Sequence, residues 1–251
     1  MSQFFHTILY QPLFNLLIIL YNAIPGHDIG IAIIGIIFLV KLILYPFTKT
    51  TLHAQRKMQD LQPRLKEIKE KHKHNKAAQT QETMKLYQEE GVNPMSGCLP
   101  LLIQLPLLIA LFQVFRTGFD AKSLVNLYPF VANPGQLNPL FLGLVDLSKG
   151  SVALSIFAGI AQFFQTYIIS GKEAFTKKTH DTGQAMQKQM AFMTPIFTIF
   201  ISLSLPSALA FYWIVNTVLS IGEHYLPNLR LRISSFRRGG MAQRLPISKQ
   251  K

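Results

Sequence analysis

The sequence predicts an all-α protein that crosses a membrane several times, and two features of its composition point to this class. About half of its 251 residues are apolar, only 15% are charged, and the mean hydropathy is +0.25. A soluble domain carries roughly 25% charged residues, so this chain lacks the polar side chains to cover a water-exposed surface. The net charge of +13 matches some soluble nucleic-acid binders, but those are not this apolar. Both features fit a chain whose apolar residues lie in lipid and whose basic residues flank it.

Five apolar runs approach the length of about 20 residues that a helix needs to cross a bilayer. These runs cover residues 29–47, 94–115, 152–170, 190–205 and 207–226. Pro206 separates the last two with almost no loop, which predicts a tight antiparallel pair of helices. We therefore expect five transmembrane helices in a core of residues 29–226, with an outer loop at 116–150 and a cytoplasmic loop at 171–189.

The N-terminal segment, residues 1–28, contains a sixth apolar stretch at 7–24 that is less regular. Pro12, Asn15 and Asn22 interrupt it, and its Tyr and Phe residues are typical of membrane interfaces. It either spans the membrane or lies flat on it, and we favour an interfacial helix on the outer face. A signal peptide is not indicated, because the first six residues carry no Lys or Arg and no small-residue cleavage pattern follows.

The distribution of Lys and Arg predicts the orientation of these helices. The segment 48–93 holds ten of them, 171–189 holds four and the tail 227–251 holds seven, whereas 1–28 and 116–150 together hold three. With five spans, all the basic segments lie on one side, and the positive-inside rule assigns that side to the cytoplasm. We expect the N-terminus outside and the C-terminus in the cytoplasm of a bacterial plasma membrane.

The basic segment 49–93 is predicted to form a helical hairpin on the cytoplasmic side. Met58, Leu61, Leu65 and Ile68 recur at helical spacing with charges between them. The pattern breaks at 72–75 and resumes in a second helical run. The tail 227–251 has no sustained apolar period and is predicted to be mobile.

No catalytic constellation, metal-ligand cluster or cofactor motif appears in the spans, so we expect neither an enzyme nor a cofactor. The His residues of the basic segments are interpreted as solvated side chains, and Cys98 as a small packing residue. These His residues are His53, His72, His74 and His180.

Lys41 is the one basic residue inside a predicted span, six residues before Phe47. A lysine at the middle of a transmembrane helix costs on the order of 2.5–3.5 kcal/mol. Either its stem reaches toward the headgroups, or the ammonium faces a water-containing cavity that opens to the cytoplasm. The residue alone does not decide between these interpretations.

Four amide side chains lie within the other spans, and each needs hydrogen-bond partners there. They are Gln104, Gln162, Gln165 and Asn216. They either bridge helices or, with Lys41 and without a carboxylate counter-ion, line a hydrated electropositive concavity. Such a concavity suits an acidic or polar peptide segment better than a proton or a cation.

Several segments together resemble the YidC/Oxa/Alb family of membrane protein insertases, in particular its short form. The matching segments are IIFLVKLILYPFTK (36–49), KMQDLQPRLKEIKEK (57–71), GVNP-x-x-GC-x-P-x-x-x-Q-x-P (91–106), FMTPIFTIF (192–200) and LPSALAFYWIVNTVLSI (205–221). The resemblance implies five core helices around a hydrophilic groove that is open to the cytoplasm and sealed on the outer side. It also implies that the chain inserts membrane proteins without ATP hydrolysis, alone or with the Sec translocon.

The resemblance further implies roles for particular residues. The groove residue of the family is commonly Arg, and Lys41 stands at the matching position, which keeps the charge but not the planar fork of donors. Trp213 matches an aromatic position that contacts substrate in relatives, and the hairpin receives the substrate. Basic tails contact ribosomes in some members, so the tail is expected to bind ribosomal RNA or anionic lipid. The arginines of the tail that come first after the last predicted span are Arg230, Arg232, Arg237 and Arg238.

As an insertase, the protein is expected to act as a monomer. Two other classes compete with this interpretation. A transporter or channel with a polar midplane site predicts paired carboxylates or inverted repeats with broken helices, and the sequence shows neither. A passive scaffold for membrane complexes is not distinguished by residues alone.

Overall fold

The computed structural model describes residues 3–93, 99–119, 121–170 and 182–242. Its helices are α1 (Gln3–Ala23, with a π-helical turn at His6–Tyr10), α2 (Ile29–Asp60), α3 (Gln62–Lys71), α4 (Lys76–Glu89), α5 (Leu99–Thr117), α6 (Val152–Ser170), α7 (Thr182–Leu203) and α8 (Ser207–Ala242). A 3₁₀ turn at Ala121–Asn126 and a short hairpin of β1 (Leu140–Phe141) and β2 (Val145–Asp146) lie between α5 and α6. The prediction of an all-α polytopic membrane protein is confirmed.

Three helices in the described part of the chain are long and apolar enough to cross a membrane. They are Gln3–Ala23, Ile29–Met58 and Val152–Ile169, and two shorter apolar helices cover Gln104–Thr117 and Phe192–Leu203. The fifth predicted run forms the start of α8, outside both groups. The sixth apolar stretch lies within Gln3–Ala23, which has the length and hydropathy to span a membrane. Two of its polar side chains, described below, are hydrogen-bonded to the connection after α5.

Two helices extend well beyond the apolar runs that predict them. The helix α2 continues to Asp60 although Pro46 lies inside it. Pro46 removes one backbone donor, and in the next turn the Thr48 and Thr50 hydroxyls donate to the carbonyls of Leu44 and Pro46 at 3.2 and 3.1 Å. The helix α8 likewise continues to Ala242 through the first part of the tail that the sequence predicts to be mobile.

The chain divides into two compact units. The first comprises residues 1–23 and 38–136, and the second comprises 24–37 and 137–251. In the first unit, α1 packs against the end of α5. The Tyr10 hydroxyl lies 3.0 Å from the Thr117 hydroxyl, and Phe14 is fully buried.

The second unit is built on the packing of α6 against α7 and α8. Gly159 permits the close approach of α6 and α7, since a Cβ at this position would lie 2.2 Å from Cγ1 of Ile199. The start of α8 is bonded to the segment that follows the β-hairpin: the backbone nitrogens of Ser207 and Ala208 donate to the carbonyls of Lys149 and Leu147, both at 2.9 Å. These bonds join the start of α8 to the segment that leads into α6.

Candidate functional site

Lys41 lies on the more buried side of α2. Its side chain is partly buried, whereas the next two residues, Leu42 and Ile43, are 60% and 69% exposed. One turn earlier on the side of Lys41, Ile37 is buried, and two turns later Thr48 is partly buried. The charged side chain is therefore less exposed than the two apolar side chains that follow it on the helix.

Gln104, the candidate amide of the first unit, lies in α5 and is partly buried. Two residues later, Pro106 removes a backbone donor within the same helix. The predicted span begins at residue 94, and residues 94–98, with Cys98, lie outside the described part, in which α5 begins at Leu99.

The other three candidate amides lie on facing helices of the second unit. Gln162 joins α6 to α8, because its side-chain oxygen accepts a hydrogen bond at 3.4 Å from the hydroxyl of the buried Thr217. Asn216 is the neighbour of Thr217 along α8, and Trp213 precedes it by one turn; both are partly buried. Gln165, one turn after Gln162 along α6, is also partly buried. The three amides and the indole thus belong to two helices, α6 and α8, that pack against each other.

The helical hairpin has a hydrophobic core of its own. Leu61 and Leu65 pack with Leu86 and Val92 as buried residues, and three partly buried side chains surround them. These three are Met58, Ile68 and Tyr87. All four hairpin residues selected from the sequence therefore belong to this core, where they hold α3 and α4 together. Burial also raises the pKa of the Tyr87 phenol.

Polar contacts fix the two ends of this hairpin. The side chain of Asn75 caps α4 by accepting a hydrogen bond from the backbone nitrogen of Ala78 at 3.0 Å. At the opposite end, Arg64 forms an ion pair with Glu90. Met84 remains 46% exposed on the outside of α4. The helical hairpin therefore has its own core and polar contacts at both ends, and Met84 is an apolar side chain on its surface.

The remaining predicted site residues are less completely described. Arg230, Arg232, Arg237 and Arg238 lie in the helical backbone of α8, and their side chains lie outside the described residues. His180 also lies outside them. Within the part of the chain that the structure covers, no group of three or more His, Cys, Asp or Glu side chains is arranged to hold a metal ion.

Sequence reasoning missed a set of side chains on α1 that bind the connection after α5. Asn15, which is 1% exposed, donates to the carbonyl of Asn126 at 3.1 Å and accepts from the backbone nitrogen of Tyr128 at 2.7 Å. Asn22 donates to the carbonyl of Ala132 at 2.7 Å. The sequence treats these residues as interruptions of an apolar run, but their spacing of seven places them on one face of a helix. That spacing is the signal that marks a polar contact surface.

Comparison with known proteins identifies the family. The family model described as 60Kd inner membrane protein matches residues 19–233. The chain belongs to this family. It is 34% identical over 220 residues to a protein from Syntrophus aciditrophicus (strain SB), a match that covers 87% of this chain and 36% of the relative. That relative is named membrane protein insertase YidC.

Other members of the 60Kd inner membrane protein family give similar matches under the same name. The protein from Actinobacillus succinogenes is 36% identical over 219 residues, and that from Geobacter metallireducens is 33% identical over 217 residues. Each match covers 86% of this chain and 36% of the relative. The chain thus spans about a third of the length of the curated relatives it matches. The resemblance seen in the sequence is confirmed, and the chain is a multi-pass inner-membrane protein.

Proposed function

We propose that this chain is a membrane protein insertase that helps other membrane proteins enter and fold in the bilayer without catalysing a chemical reaction. The proposal rests on one observation above all: in a chain of the 60Kd inner membrane protein family, Lys41 lies within an apolar helix and is partly buried, while Leu42 and Ile43 beside it are exposed. A charged side chain inside a transmembrane helix costs free energy, and such a residue usually marks a functional site or a water-filled cavity. Receiving the polar flank of a substrate supplies such a function.

The insertion step follows from elementary energetics. The apolar part of a substrate gains roughly 25 cal/mol for each Å² that leaves water for lipid, whereas its polar flank resists a dry path. We propose that Lys41 attracts an acidic flank and holds it transiently while the apolar part moves into lipid. The polar side chains of Gln104, Gln162, Gln165 and Asn216, with Trp213, contact the flank in this proposal.

The helical hairpin of α3 and α4 and the C-terminal tail supply the proposed docking surfaces. The hairpin, whose core contains Met58, Leu61, Leu65 and Ile68, receives the substrate before insertion. The tail, with its arginines from Arg230 to Arg238, binds a polyanion, which is ribosomal RNA or anionic lipid. We further propose that the N-terminus lies outside and the C-terminus in the cytoplasm, and that a single copy works alone or beside the Sec translocon.

Charge reversal at Lys41 tests the insertase function directly. The Lys41→Glu variant, reconstituted in liposomes, is expected to lose insertion of a small membrane protein with an acidic flank, whereas Lys41→Arg retains it. Lys49→Glu is the matched control, because Lys49 lies two turns later on α2 and is exposed. Full insertion by Lys41→Glu would contradict the electrostatic role. Solute transport by the wild type without insertion would favour a transporter instead.

Truncation distinguishes the two partners proposed for the tail. Removal of residues after Leu229 is expected to abolish salt-sensitive co-sedimentation with ribosomes if the tail binds ribosomal RNA. Undiminished co-sedimentation, together with weaker binding to vesicles rich in anionic lipid, would assign the tail to the membrane surface.

A further inference from the structure

The β-hairpin between α5 and α6 carries apolar side chains at its tip that the fold does not use. Leu144 is 84% exposed and Leu142 is 61% exposed. Neither contributes to a core in the described residues, and no charged residue occurs between Leu137 and Val145. A water-exposed turn is ordinarily built from Gly, Asn, Asp, Ser or Pro.

The backbone conformation of this turn is unusual for a leucine at position 142. The nitrogen of Leu144 donates to the carbonyl of Phe141 at 3.0 Å, which closes a four-residue turn. Both central residues have positive φ, 50° at Leu142 and 70° at Gly143, as in a type I′ turn. The first central position of such a turn favours Asn, Asp or Gly. Leu142 thus occupies a strained conformation without a packing contact that would explain its side chain.

The base of the hairpin is held firmly at the ends of membrane helices. Asp28, which precedes the first residue of the candidate span in α2, accepts hydrogen bonds from the backbone nitrogens of Ile31 at 3.0 Å and Leu142 at 2.5 Å. Phe141 packs on Phe211 of α8 with 4.7 Å between ring centroids. It also fills the space above Gly30, where a Cβ would meet its ring at 2.1 Å.

A second set of bonds ties the other strand to α8. The hydroxyl of Ser207 donates to the carbonyl of Asp146 at 2.9 Å, and the Ala208 nitrogen donates to the carbonyl of Leu147 at 2.9 Å. Six residues after Asp146, the candidate span of α6 begins at Val152, which is itself 64% exposed. The hairpin is therefore bonded to the start of α2 and the start of α8, and it lies a few residues before the start of α6.

We propose that the tip of this hairpin, Leu142–Leu144, inserts into the lipid leaflet on the side of the membrane where α2, α6 and α8 begin. Lipid is the occupant that these observations favour, because the hairpin is bonded to the starts of α2 and α8 and the apolar helices beside it also expose apolar side chains. On α6 these side chains include Val152, Ile156 and Phe157. The hairpin then anchors the ends of three helices at a fixed height in the bilayer, and the strained leucine provides the apolar contact.

A fluorescent label at the tip tests the proposal in the full chain. Leu144→Cys is made in a Cys98→Ser background, labelled with an environment-sensitive nitrobenzoxadiazole dye, and reconstituted in phospholipid vesicles. The expected emission is blue-shifted and quenched by lipid that carries a nitroxide near the glycerol end of its acyl chain, but not by aqueous iodide. Lys149→Cys in the same background is the control, because its side chain is 82% exposed and polar; iodide is expected to quench it.

Two results would overturn the proposal. Equal emission and equal iodide quenching at positions 144 and 149 would place the tip in water. Protection from iodide without quenching by the nitroxide lipid would show that protein covers the tip, either a second copy or a partner. In a third variant, adding Leu142→Asn to the labelled chain suits the turn but removes an apolar side chain. It is expected to weaken the nitroxide quenching at position 144.

Discussion

The side-chain oxygen of Asn15 accepts a hydrogen bond from the backbone nitrogen of Tyr128 at 2.7 Å, across 113 positions of the chain. Nearby, the side-chain nitrogen Nε2 of Gln11 donates to the carbonyl of Asn126 at 3.3 Å, and the side-chain nitrogen of Asn22 donates to the carbonyl of Ala132. Asn15 and Asn22 of α1 are thus hydrogen-bonded to the connection after α5. This arrangement supports our proposal that α1 lies on the outer face of the membrane.

Replacement of Asn15 by Leu is expected to loosen this connection. The substitution leaves the partly buried backbone nitrogen of Tyr128 without its acceptor, which costs about 1–3 kcal/mol. Hydrogen exchange should therefore become faster over residues 126–132. Asn22→Leu is the control, because its hydrogen bond is exposed and its loss should change exchange much less. Equal protection in wild type and Asn15→Leu would contradict the prediction.

Replacement of Gly159 by Ala is expected to destabilise the packing of α6 on α7. The new Cβ would meet Ile199 at 2.2 Å and the carbonyl of Pro195 at 3.2 Å, and overpacking of this kind costs about 1–3 kcal/mol. The variant should lose its monodisperse form at a lower temperature in mild detergent, as measured by size-exclusion chromatography after heating. Gly222→Ala is the control, since its Cβ would meet nothing within 4 Å. A lower temperature for both variants would point to helix glycines in general rather than to this contact.

Truncation of Leu65 to Ala is expected to unfold the helical hairpin locally. Leu65 is 4% exposed in the core shared by α3 and α4, and removal of such a side chain costs about 2–5 kcal/mol. Amide exchange should accelerate throughout both helices in the full-length chain. Met84→Ala is the control, because Met84 lies at an exposed position of α4 and its truncation should leave exchange nearly unchanged. Unaltered protection in Leu65→Ala would show that the hairpin does not depend on this core.

Asp146 is expected to remain ionised to lower pH than an ordinary aspartate. The Ser148 hydroxyl donates to its carboxylate at 2.6 Å, and this hydrogen bond is the main cause that lowers the pKa of Asp146. The backbone nitrogen of Ser148 and the ammonium of Lys149 act in the same direction, while partial desolvation opposes them. Because the pKa is lower in the folded state, the resulting stability is present above the unfolded pKa of about 3.9 and is lost as pH falls through the folded value.

Substitution of Ser148 by Ala tests this assignment. The pKa of Asp146 should rise toward its ordinary value, which carbon-detected NMR titration of aspartate-labelled protein can measure with Asp146→Asn to assign the signal. Ser151→Ala is the control, since its hydroxyl accepts from the backbone nitrogen of Leu154 instead. An unchanged pKa in Ser148→Ala would transfer the effect to Lys149.

Local patterns were sufficient to predict the helices and the residues of the hairpin core. Met58, Leu61, Leu65 and Ile68 are spaced by three or four residues, so their common face follows from helical geometry alone. Runs of about 20 apolar residues predict transmembrane helices because a helix satisfies its own backbone hydrogen bonds in lipid. The same logic did not predict that α2 and α8 continue beyond their apolar runs, since hydrophobicity reports burial rather than helix length.

The sequence by itself thus determined the class, the family and the multi-pass character of this protein, and it selected Lys41 as the charge that needs an explanation. Only the tertiary structure decided that Lys41 is partly buried beside exposed apolar residues, that Gln162 bonds Thr217, and that Asn15 binds a segment more than 100 residues away. It also placed Leu142 in a strained, exposed turn. The physical reason is that periodicity records which face of an element is apolar, whereas the partner of a polar or strained residue depends on where distant segments meet.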